Sequence, residues 1–78
     1  MKNFDNNLRE CTISYLKGNE ISEDYKYYVS KFIYFMGAYN AEMKTTEGDI
    51  LNDDRLYKSV CSLFKSVIME KQLNVEFV

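Results

Sequence analysis

The chain contains no histidine, no proline and no tryptophan, and only three glycines and two cysteines among its 78 residues. Without histidine it lacks the side chain that most often serves as a general base or metal ligand near neutral pH. Without proline nothing breaks a helix outright, so glycines and side-chain caps carry the punctuation. Cys11 and Cys61 stand far apart and form no short metal-type pair. Both fall on predicted apolar helix faces, where a cysteine reads as a small core residue and not as half of a disulfide. No run of about 18 apolar residues occurs, and the segment Met1 to Asn7 lacks the apolar stretch of a signal peptide. A cytoplasmic protein without a membrane segment is expected.

Positive charge is also scarce. Lys and Arg total 10 against 12 Asp and Glu, for a net charge of −2 and a pI near 5.0. That balance excludes a general polyanion binder, which needs a surplus of cations, and it is too mild for a nucleic-acid mimic. What the chain does have is apolar and aromatic material: 46% hydrophobic residues, with seven Tyr and five Phe. This is enough for one core in a single domain over residues 1–78, and too much for a disordered chain. A domain of this size buries roughly 60% of the surface its unfolded chain exposes, and self-association is a common supplement, so a homodimer is the expected state. Phe, Tyr, Met, Ile, Asn and Lys, whose codons are A/T-rich, supply almost half the residues. Short phage or mobile-element reading frames frequently carry that bias.

Three helices follow from the periodicity. Phe4, Leu8, Cys11 and Tyr15 share one stripe and predict a helix over residues 3–17, stopped by Gly18 in the left-handed conformation. Ser22 followed by Glu23 and Asp24 is a helix start, and the stripe Tyr25, Val29, Phe32, Met36, Tyr39, Met43 predicts a second helix over residues 22–44. Tyr28, Ile33, Phe35 and Ala38 widen that stripe, so this helix must be covered on two sides, as a hub or as a dimer seam. Gly37 in its middle costs roughly 1 kcal/mol relative to alanine and predicts the close approach of another backbone. Lys44 to Asp49 reads as a loop containing Gly48, and Asn52 with Asp53 and Asp54 caps a third helix over residues 53–72. Its apolar face is predicted to hold Leu56, Tyr57, Val60, Leu63, Phe64, Val67 and Ile68. The alternation Val75, Glu76, Phe77, Val78 predicts a short extended tail or strand. The expected fold is all-α, a small three-helix bundle.

Catalysis would have to rest on unusual groups. Cys11 becomes a nucleophile only if a neighbour such as Arg9 or Lys17 depresses its pKa, and Asp53 and Asp54 sit where capping keeps both ionised. Glu47, Asp49, Asp53 and Asp54 do not follow the spacing of a calcium loop, and no phosphate loop or zinc pair occurs, so neither metal nor cofactor is expected. A binding module remains, a regulator or inhibitor of a larger protein machine. Tyr25, Val29, Phe32, Met36 and Tyr39 form its core or dimer seam. Tyr27, Lys31 and Tyr34, on the opposite stripe, are the candidate surface for another protein, because exposed tyrosines beside a cation are typical contact hot spots. The alternative is a dimeric DNA-binding regulator using Arg55, Lys58 and Lys65, with Ser62, on the third helix. Asp53 and Asp54 at that helix's start oppose it, and a solvated polar face explains the same residues. A membrane-surface helix is poorer still, because Glu23, Asp24 and Glu42 lie where Lys and Arg would be needed.

Overall fold

The computed structural model describes the backbone of residues 4–77 and the side chains of residues 4–68; residue 3, the expected helix start, and Val78, the end of the expected tail, lie outside them. Helix α1 spans Phe4–Leu16. Gly18 ends it at φ +86°, donating to the Tyr15 carbonyl at 2.9 Å while Asn19 donates to that of Ser14 at 3.0 Å. Carbonyls of the last turn are thereby paired around a left-handed residue, the conformation expected of this glycine. Helix α2 spans Glu23–Met43. Its N-cap is Ser22, whose hydroxyl accepts from the Asp24 amide at 3.3 Å. At the other end Lys44 takes the left-handed conformation, and its amide, like that of Thr45, donates to the Asn40 carbonyl.

Half of the expected loop is helical. Residues Glu47–Asn52 form α3, with Gly48 inside it, making four helices among the described residues. Thr46 accepts from the Asp49 amide at 3.1 Å, and the Asp49 carboxylate accepts from the Thr46 amide at 3.0 Å. This reciprocal capping box turns a polar stretch into a helix start. Ile50 and Leu51 then point into the core, so a single turn suffices to bury two aliphatic side chains. Helix α4 spans Asp54–Phe77. Its cap is Asp53 and not Asn52, for the Asp53 carboxylate accepts from the amides of Arg55 at 3.0 Å and Leu56 at 3.1 Å. No glycine or proline follows Gly48, so nothing in the backbone chemistry stops the helix at 72. It continues to Phe77.

Helix α2 is the hub, packing against α1, α3 and α4. Val29, Phe32 and Met36 are buried along one line of it, with Tyr25, Tyr28, Ile33, Phe35 and Tyr39 half-buried beside them. Leu8 comes from α1, Ile50 and Leu51 from α3, and Tyr57, Val60, Cys61 and Phe64 from α4. Phe32 holds the centre, its ring 5.0 Å from that of Phe64 and 5.8 Å from that of Tyr57, both edge-on. Such pairs stabilise beyond the area they bury.

Five predicted core positions lie outside: Met43 at the end of α2 is 57% exposed, Ala38 on the same helix is exposed, and Tyr15, Leu63 and Val67 join them. Tyr15 is 54% exposed, and its place on α1 is taken by Thr12, which is buried because its hydroxyl donates to the Leu8 carbonyl at 2.7 Å and leaves only a methyl group to pack. Leu63 is 52% and Val67 38% exposed. The buried stripe of α4 is rotated toward Tyr57 and Cys61, because Arg9, Asp5 and Lys65 tie that edge to α1. Gly37 admits no neighbouring backbone either: a Cβ there would meet nothing within 4 Å. Gly37→Ala is therefore expected to stabilise the dilute, monomeric chain by about 0.5–1 kcal/mol, read as a higher midpoint in urea; a loss of stability would mean that something occupies that space within one chain.

Candidate functional site

The outward side of α2 carries Tyr27, Ser30, Lys31, Tyr34, Gly37, Ala38, Ala41 and Glu42, all exposed. Helical periodicity places them together because the opposite side is spent on the core. Tyr34 is 83% and Tyr27 60% exposed. Tyr27 is held in place, with its ring 5.6 Å from that of Tyr28 in an edge arrangement and the Lys31 ammonium 5.5 Å from its centre. The structure thus joins Tyr27 and Lys31 in a cation–π contact and leaves Tyr34 one turn along, followed by the small residues Gly37, Ala38 and Ala41. Ring, charge and ring form a surface whose entropy is already partly reduced, which lowers the cost of ordering it on binding.

The second candidate set does not come together in this way. Arg55 and Lys58 are exposed, and neither forms an ion pair among the described residues. Lys65 is taken by Asp5 of α1 at 2.8 Å, a hydrogen bond that holds its ammonium pKa above the ordinary value. Two free cations beside Asp53 and Asp54 make a weak positive surface.

In comparisons with protein-family models, curated proteins and solved structures, the chain shows no significant similarity to any of them.

Several titratable groups singled out from the sequence have structural surroundings of their own. Cys61 is buried, and burial pushes its thiol pKa up, away from the reactive thiolate. Cys11 is half-buried. Asp53 caps α4, and Asp54 accepts from Arg9 at 2.6 Å, which holds its carboxyl below the usual range first by that hydrogen bond and then by charge. Tyr57 donates to the Asp5 carbonyl, and burial raises its phenol well above its ordinary value. Among the described residues no three His, Cys, Asp or Glu side chains are grouped to hold a metal, and no helix is long and apolar enough to cross a membrane. A cleft of about 380 Å³ opens beside the α1–α2 turn, with Tyr15, Ile21 and Val29 in its lining. Its polar lining residues Asn19, Glu20, Lys26 and Ser30 are all exposed, and Lys26 is paired with Glu23 at 2.8 Å. It therefore lacks the buried, convergent polar groups that fix a small ligand.

Sequence reasoning missed Arg9 as more than a neighbour of Cys11. It bridges three helices, donating from Nε to the Leu51 carbonyl at 2.8 Å and from Nη1 to Asp54, with its guanidinium 5.2 Å from the centre of the Tyr57 ring. No local signal announces it, since its partners lie more than forty positions away.

Proposed function

We propose that the protein is a non-enzymatic protein-binding module, a regulator or inhibitor of a larger protein machine, and that the outer face of α2 is its contact surface. The observation that carries this reading is Tyr34, a large ring standing almost wholly in solvent on the helix whose other side forms the core. The core closes without it, so folding does not account for the ring, whereas tyrosines of this kind concentrate binding energy in protein contacts. The occupied state of Cys61, Asp53, Asp54 and Tyr57 supports a binding role over a catalytic one.

Tyr34→Ala, alone and with Tyr27→Ala, is expected to change folding stability by less than about 0.5 kcal/mol, as surface substitutions do. The same change should reduce recovery of a stoichiometric protein partner by at least about tenfold when tagged protein is used to capture it from host lysate, since a hot spot contributes about 2 kcal/mol or more. Recovery that is indifferent to Tyr34 would overturn the assignment of the surface. Recovery of nucleic acid, abolished by Lys58→Glu, would replace the reading with DNA binding through α4.

A further inference from the structure

The charges on this face say what fits it. Lys31 and Glu42 lie along one edge of the outer side of α2, eleven residues or about three helical turns apart. Both are exposed, and neither has an ion-pair partner among the described residues. Asp24, exposed on the same edge two turns before Lys31, falls beyond the overlap of two antiparallel copies centred between Lys31 and Glu42. Within that overlap a cation toward one end and an anion toward the other complement the same edge of an identical helix. Under a two-fold axis passing beside Gly37, their midpoint, each Lys31 meets the Glu42 of the other copy, and the pairing occurs twice. A parallel two-fold arrangement would carry this edge to the opposite side of the contact, so Lys31 and Glu42 of the two copies would not meet.

We infer that in the free protein the occupant of the outer face of α2 is a second copy of the chain, running antiparallel, which a partner protein must displace; this rests on the reading of that face as the contact surface. In this register Tyr34 of each copy lies over Ala38 and Ala41 of the other, which are exposed and small enough to receive a ring. Gly37, with open space where a Cβ would stand, lets the two backbones approach at the axis. Contact through a single helix face falls at the small end of specific interfaces, below about 1,200 Å² in total, where transient complexes lie. The dimer should accordingly form in the micromolar range and be in exchange with monomer.

The test is sedimentation equilibrium across about 10–500 µM, spanning the association expected of a small interface. Wild type should pass from monomer to dimer mass. Lys31→Glu and Glu42→Lys should each weaken self-association about tenfold or more, because each sets two like-charge pairs in the interface. An equimolar mixture of those two variants should recover wild-type dimer mass, since every cross-pair is then opposite in sign. None of these positions is buried, so unchanged thermal unfolding of each variant shows that its fold is intact. A monomer at every concentration, or a mixture that fails to recover, overturns the second copy as occupant. If Tyr34-dependent capture of another protein persists with a monomeric mass, the contact surface stands and its occupant is different. If Tyr34→Ala alters neither mass nor capture, both readings fall together.

Discussion

Phe32→Ala is expected to cost about 3–5 kcal/mol. Phe32 is fully buried, and its ring meets both Tyr57 and Phe64 of α4. Its removal takes away transfer free energy and two aromatic contacts, and it leaves a cavity between helices whose separation Val29, Met36 and Val60 maintain. A 78-residue domain has a total stability of about 4–12 kcal/mol, so the loss is a large fraction of the whole. The midpoint of thermal unfolding, followed by far-ultraviolet circular dichroism, should fall by roughly 15–30 °C, given about 4–8 °C per kcal/mol at this size. A loss below about 1 kcal/mol would show that α2 does not present this side to α4. The contrast with Tyr34→Ala, two positions along the same helix and nearly silent for stability, checks the rotation of α2 itself.

That rotation was legible in the sequence. The spacing from Tyr25 to Tyr39 located the buried line of α2, and the surplus of aromatics around it required neighbours on more than one side, which α1, α3 and α4 provide. Gly18 and Ser22 marked the first turn because their chemistry is local: one residue tolerates positive φ, and the other caps within two residues. The same kind of local signal was present at Thr46 and Asp49, where a capping box precedes Ile50 and Leu51, but Gly48 between them reads as a loop. Propensity lost there to two caps and two buried aliphatics.

What periodicity does not carry is the choice of edge. On α4 the stripe from Leu56 to Val67 and the stripe from Tyr57 to Phe64 are adjacent and almost equally apolar. The second is buried because polar partners on α1 fix which edge turns inward, and those partners are remote in sequence. At Gly37 no backbone of the same chain comes near, since a Cβ there would meet nothing within 4 Å. The outer set Tyr27, Lys31 and Tyr34 was placed on one stripe by spacing alone, and the contact between Lys31 and Tyr27 follows from their separation of one turn.

Arg9→Ala is expected to cost about 2–3 kcal/mol and to lower the thermal midpoint by roughly 10–20 °C, an effect comparable to a core truncation from a charged residue. Three consequences add. The Leu51 carbonyl, near the C-terminal end of α3, loses a charged donor; Asp54 loses its partner; and the Tyr57 ring loses the flat guanidinium packed near its face. Arg9→Lys should recover only part, because an ammonium cannot reach the carbonyl and the carboxylate with a fixed fork while lying against the ring. Asp54→Asn should be milder than either, since it leaves the Leu51 bond and the Tyr57 contact in place. Acid separates the contributions. Because the folded pKa of Asp54 is held below its ordinary value of 3.8, its contribution is present above that value and is lost as pH falls through the lowered folded one. The gap between wild type and Arg9→Ala should therefore narrow below about pH 4 without closing. A gap that closes completely would assign the whole effect to the ion pair, and one that does not narrow would assign it to the carbonyl and the ring.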